Sequence, residues 1–304
     1  MAISRHQLVK ELEPGLNALF GLEYNRYDNQ HAEIYTSESS DRAFEEEVML
    51  SGFGNASVKS EGSGVAFDNA QESFSARYTH ETVALAFAIT EEAIEDNLYD
   101  RISSRYTKAL ARSMSNTKQV KAAAPLNNGL PTADAFDSGD AVSLFNTAHT
   151  TVSGTSVKNT LTTQADLNET SLEQAMIDIS GMTDERGLRI AAKAVKMIVP
   201  SANQFQAERL MKSQGRVGTA DNDINALGSM GMIPQGYRVN NFLTDTDSFY
   251  IITDVPNGMK MFTRAPLTTA MEGDFDTGNV RYKARERYSF GVSDFRGIFG
   301  VEGA

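Results

Sequence analysis

The sequence contains no cysteine. Disulfides, thiol nucleophiles and thiolate metal sites are therefore excluded together. A protein made in a reducing cytosol needs none of them. Histidine is scarce as well: His6, His31, His80 and His149 are all there are. No two of them share the helical or strand spacing that would place both on one metal, so each reads as a surface or structural residue. No run of about 18 or more apolar residues occurs, so no segment is expected to span a membrane. Met1-Ala-Ile-Ser-Arg-His-Gln7 lacks the apolar core of a signal peptide, and the chain is expected to be soluble and not secreted.

The motifs of small-molecule chemistry are missing too. There is no Walker A sequence and no intact Gly-x-Gly-x-x-Gly. Gly52-Phe-Gly54 and Gly62-Ser-Gly64 are glycine pairs in a turn, with no helix opening behind them to bind phosphate. Asp221-Asn-Asp223-Ile-Asn225 starts like a calcium loop, but Ala226 replaces the required glycine and Met232 the bidentate glutamate. Asp134, Asp137 and Asp140 read as a solvated acidic loop. No nucleophile-elbow sequence is present. No catalytic residue, cofactor or metal is assigned, and the chain is expected not to be an enzyme.

What is present is an ordinary globular composition, with 40% hydrophobic and 22% charged residues in a chain of 304. That is enough for a sizeable core with extended appendages. The 28 basic and 40 acidic residues leave a net charge of -12. Phosphate-backbone binding depends on lysine and arginine. So acidic a chain is a poor nucleic-acid binder, whereas a container for DNA has no need to be sticky.

Along the chain, residues 1 to 46 read as a strap. Leu8, Leu12, Leu16 and Leu19 follow a helical rhythm that Pro14 and Gly15 interrupt. Residues 47 to 89 read as one long hairpin with a Gly- and Ser-rich tip over residues 51–64. Its returning arm, Ser73 to His80 and Thr82 to Ile89, has strand chemistry. Such an arm is marginal alone and needs support from elsewhere.

The strongest helix follows. Thr90 is its expected N-cap, and Glu91, Glu92, Glu95 and Asp96 suit the positive end of the helix dipole. Ile94, Leu98, Ile102, Tyr106, Leu110 and Met114 form an apolar stripe flanked by Arg101, Arg105, Lys108 and Arg112. Pro125 and Asn127-Asn-Gly129 are expected to stop it. Thr170-Ser-Leu-Glu173 and Ser201-Ala-Asn-Gln204 look like capping boxes. Ala194–Val199, Tyr237–Val239, Ser248–Ile252, Met259–Phe262 and the alternating Val280–Phe290 read as strands. The fold class is α+β, with no internal repeat.

This order of elements resembles the subunit of tailed-phage shells, the HK97-like major capsid protein family. Local phrases carry the resemblance: Ile89-Thr-Glu-Glu-Ala-Ile-Glu-Asp-Asn97 through Leu110-Ala-Arg-Ser-Met114, Leu144-Phe-Asn-Thr-Ala-His149, Met197-Ile-Val-Pro200, and Arg281 to Gly291 with Asp294-Phe-Arg-Gly297. The resemblance implies an N-arm over 1–46, an E-loop hairpin over 47–89, a spine helix and P-domain over 90–150 with 266–304, and an A-domain over 151–265. It implies hexamers and pentamers closed into an icosahedral head, enclosing double-stranded DNA without sequence-specific binding and touching no membrane. Assembly would take place in the host cytoplasm, and the product is a virion. A separate scaffolding protein, a portal and a decoration protein are the implied partners. Assembly contacts are expected at Phe53, Lys59 and Glu61 on the loop, at Arg101, Arg105 and Arg112 on the spine, and at Glu45 and Glu46 facing them. One family member cross-links subunits through a lysine on this loop. Lys59 reads instead as a solvated tip lysine pairing with a neighbour's carboxylate. An encapsulin-type compartment shell, another virion protein and a soluble hydrolase are the alternatives.

Overall fold

The computed structural model describes residues 5–90, 92–93, 99–132, 136, 138–215, 224–274 and 278–304. Side chains before residue 14 and those of residues 94–102 lie outside that description. So do Asp134, Asp137, Asp221 and Asp223.

Helix α1 (Arg5–Tyr24) leads through a 3-10 turn to strand β1 (Thr36–Ser39). Strands β2 (Phe44–Leu50), β3 (Glu72–Thr79) and β4 (Glu81–Ile89) come next, and then the long helix α2 (Tyr99–Asn128). The short pair β5 (His149–Thr150) and β6 (Ser156–Val157) precedes α3 (Glu169–Ser180) and β7 (Ala194–Val199). Helices α4 (Gln204–Lys212) and α5 (Ala226–Met230) are followed by β8 (Tyr237–Val239), β9 (Phe249–Thr253), β10 (Met259–Gly273), β11 (Val280–Val292) and β12 (Ile298–Val301).

Two four-stranded sheets organise the chain. The first runs β1-β10-β11-β4, with β1 parallel to β10 and the other pairs antiparallel. The second runs β12-β9-β7-β8. Strand β11 shows why the alternation in its sequence matters. Tyr282 and Ala284 face inward and pack with Leu16 and Phe20 of α1 and Leu110, Ala111 and Met114 of α2. A side chain of this kind contributes about 1.5–3 kcal/mol when fully buried. The far end of α2, at Ala122 and Leu126, enters the larger core around β7, β9, β12 and α3. At about 1.5 Å per residue, the 30-residue α2 is about 45 Å long and links the two cores.

Several expectations change. Helix α1 runs through Pro14 and Gly15, because Leu16 and Phe20 gain a buried surface that outweighs the local break. Helix α2 likewise runs through Pro125 to Asn128. It stops where Gly129 presses on the Pro125 carbonyl and on Leu144, leaving no room for a Cβ. Thr90 accepts from the Ala93 N–H at 3.4 Å, but α2 begins at Tyr99, and the stretch that would join this cap to the spine lies outside the described residues. The expected hairpin divides at His80. Strand β3 pairs with β2, but β4 pairs with β11 and belongs to the first sheet.

The cap of α3 is Asn168 paired reciprocally with Ser171, two residues before the Thr170 box. The Ser201 box forms a 3-10 turn without a side-chain cap. Asp140 is no solvated loop carboxylate: it bonds the buried His149 at 2.6 Å.

Candidate assembly surfaces

Residues 51–71 connect β2 to β3 without regular secondary structure. Gly52 has φ +45°, which a residue with a Cβ adopts only under strain. The loop shows apolar side chains to solvent: Phe53 is 60% exposed, Val65 69%, Val58 97% and Phe67 98%. Lys59 and Glu61 are exposed beside them. A folded chain has no reason of its own to display Val58 and Phe67 so fully, and patches of this kind mark contact surfaces.

The loop is tethered at its root. Asp68 accepts from the Gly54 N–H at 2.8 Å and from Arg186 at 2.6 Å. The Gly54 and Asn69 amides hold the Asp68 carboxyl below its ordinary range, with help from Arg186.

Beneath the root, Arg296 is fully buried. It meets Glu185 at 2.7 Å, Asp294 at 3.2 Å and the Thr183 carbonyl at 2.8 Å. Glu185 also accepts from Ser73 of β3 and from the Val152 amide. Burial pushes Asp294 up, against the pull of Arg296. Ion pairs this deep are costly unless every partner is in place.

The hairpin is pinned at its other end by Lys260. Glu47 lies 2.5 Å from it and Glu38 3.2 Å. Burial alone would lower Lys260, but the two carboxylates outweigh it and raise its pKa. Glu47 also bonds Ser293, whose hydroxyl meets Tyr78 at 2.5 Å. His80 sits at the turn between β3 and β4, 2.9 Å from both Ser40 and Ser289. Burial lowers its pKa, and Arg287 adds to the effect.

Among the described residues, the expected spine contacts do not form within the chain. Glu45 accepts from Ser40 at 2.6 Å and lies 3.9 Å from Arg42. Glu46 lies 3.7 Å from Arg77, and Glu47 serves Lys260. Register explains this, because all three stand on β2 opposite β3 and not against α2. Arg105 and Arg112 are exposed on α2. The side chain of Arg101 lies outside the described residues. On the spine it is Lys118 that finds a carboxylate, Glu286 at 3.2 Å, and Lys121 that bonds Glu81.

Nothing in the sequence points to Arg296, Glu185 and Lys260 as anchors, and His80 reads there only as a surface or structural residue. Asp294-Phe-Arg-Gly297 was read as a family phrase, but its partner Glu185 stands 111 residues away. Among the described residues, no group of three or more metal-ligating side chains comes together. Among them also, no helix is long and apolar enough to cross a membrane.

The phage capsid protein family matches residues 73–301. The chain belongs to that family. The capsid subunit is similar in fold to several solved shells. The capsid of Myoviridae phage XM1 aligns with TM-score 0.54 at 12% identity, over 89% of each chain. The capsid of an empty GTA particle aligns at 0.53 and 14%, over 91% of each. A virus-like particle from Pyrococcus furiosus aligns at 0.53 and 11%, over 95% of this chain and 98% of that one. No curated protein matches the sequence. The expected HK97-like α+β fold is the one observed. The subunit is a shell-building major capsid protein of the virion.

Proposed function

We propose that this capsid subunit assembles as hexamers and pentamers into the icosahedral head that encloses phage double-stranded DNA. The observation that carries the proposal is the 51–71 loop, whose Val58 and Phe67 are 97% and 98% exposed. In a closed shell that loop is the E-loop and lies over the next subunit, contributing Phe53, Lys59 and Glu61. Residues 1–46 form the N-arm, and α2 is the spine, with Arg101, Arg105 and Arg112 facing carboxylates of a neighbour. Residues 90–150, the spine included, form the P-domain with 266–304, whose strand β11 pairs with β4, and residues 151–265 are the A-domain. Each contact is modest, but repetition around a closed surface makes the whole stable. The net charge of -12 keeps the lining from gripping DNA.

Assembly proceeds in the host cytoplasm on a separate scaffolding protein, around a portal, with a decoration protein as a further partner. No catalytic step is assigned to the subunit. The similarity to the virus-like particle favours a cargo-holding compartment as the second reading.

The test is expression with and without the scaffold gene product, followed by negative-stain electron microscopy. Closed particles or hexameric sheets are the expected result, and nuclease-protected DNA inside them separates head from compartment. Monomers under every condition would sink the proposal. A subunit lacking residues 51–64 should stay folded and fail to close.

A further inference from the structure

Strand β11 places four cations on one face of the first sheet. Its inward side chains, Tyr282 and Ala284, pack against α1 and α2. Its outward ones are Arg281, Lys283, Arg285 and Arg287, and the first three are exposed. Alternate residues of a strand stand about 6.7 Å apart, so the four charges form an evenly spaced row.

The neighbours of Lys283 and Arg285 on that face are small. Ala88, Ala86 and Ala84 of β4 lie opposite Arg281, Lys283 and Arg285. On β10 the opposite residues are Glu272, Ala270 and Thr268. The row therefore stands above a low floor, open from the side. Four of the chain's 28 basic residues fall within seven positions, in a protein whose overall charge is acidic.

The chain neutralises only the end of this row. Arg281 bonds Asp274. Arg287 reaches the Ala43 carbonyl at 3.5 Å. Lys283 and Arg285 form no ion pair with any described residue. At the hairpin end, the Nε atoms of Arg287 and Arg264 are enclosed by protein and bonded to nothing. Both arginines stand close enough to lower the pKa of His80. Unpaired like charges held side by side repel one another, and the sheet keeps them there.

We propose that this row is an interface that receives carboxylates from a second copy of the chain. The inference rests on the capsid reading, which makes copies of this chain the one abundant neighbour. Each copy brings 40 acidic residues against 28 basic, so charge complementarity favours it. The same net charge disfavours the rival occupant, duplex DNA, whose phosphates the rest of the surface repels. Guanidinium groups pair bidentately with carboxylates, which fixes orientation as well as attraction. The row thus sets the register between neighbouring subunits.

The test combines two measurements on the full chain. Lys283→Glu with Arg285→Glu reverses two exposed charges, so the subunit keeps its circular dichroism spectrum and unfolding midpoint. Its shell yield, counted by electron microscopy, falls by about tenfold or more, because like charges now face each other. Wild-type shells assembled from a mixture of 14N- and 15N-labelled subunits are then treated with a carbodiimide. Mixed-label cross-links from Lys283 to an Asp or Glu peptide are expected. Normal shell yield from the double variant overturns the inference, as do Lys283 cross-links confined to single chains. Duplex DNA bound by wild-type subunits and released by the double variant, with shells unchanged, gives the row to nucleic acid instead. A wild-type chain that never forms shells removes the capsid reading and this inference together.

Discussion

The second sheet and the β2–β3 hairpin both contain antiparallel strand pairs, yet they treat apolar side chains in opposite ways. Phe249, Ile251, Ile298, Phe299 and Val301 in the sheet are completely buried by their own chain. In the hairpin and its loop, Leu50 is 65% exposed, Val65 69% and Phe67 98%. The first region stabilises a subunit, and the second offers the surface that the proposed shell would cover with another copy. Substitutions in the sheet should register in the free subunit, and substitutions in the loop only in the shell.

The largest effect is expected at Phe145, which packs on Tyr250 with ring centroids 5.4 Å apart. Phe145→Ala should lower subunit stability by about 3–5 kcal/mol, measured by denaturant unfolding. A loss under about 1 kcal/mol would contradict the close packing of this core. Gly300→Ala probes the same contact from the other side, because its Cβ would stand 2.6 Å from the Phe145 ring. A loss of about 1–3 kcal/mol is expected from overpacking.

His31 gives a pH test at the junction of the two cores. Burial lowers its pKa to about 4, with Lys118 adding to the effect. Above pH 6.5 the imidazole is neutral in both folded and unfolded chains. As pH falls toward 4 the unfolded chain takes up the proton first, so stability is lost across that window. His31→Gln should flatten this part of the stability–pH curve, and an unchanged slope would remove His31 as its source.

Asn168→Ala should cost about 1 kcal/mol through loss of the α3 cap. Thr170→Ala should cost less, which an unfolding series on both variants would check. The smallest change in the free subunit is expected at Phe67. Phe67→Ala should shift stability by less than about 0.5 kcal/mol and still reduce shell yield. Full particle yield from this variant would erase the contrast between the two regions.

The sequence was most readable where one face is buried and the other wet. Val280–Phe290 alternates, and the strand alternates with it. Ala194–Val199 is an apolar, partly β-branched run, and it is β7. Reading failed where a distant partner overrode a local signal. Pro14 and Pro125 looked like stops, but packing carries both helices through them. The arm from Ser73 to Ile89 looked continuous because both halves favour strands. Only the pairing of β4 with β11, some 200 residues along, divides it. For Glu45 and Glu46 the opposite charge of the spine is visible in the sequence, whereas the register that sets them opposite β3 within the chain is not. Arg296 is legible as a phrase and illegible as a clamp, since its partners Thr183 and Glu185 stand more than a hundred residues away.

The position of β12 bears on how subunits are made. Residues 298–301 pair with β9 and fill the centre of the larger core. A ribosome has delivered almost all of the 304 residues before that core can close. Domains generally fold as units during synthesis, but this one must wait for its last strand. A chain cut short before Ile298 lacks the middle of its own interior and remains a substrate for proteases.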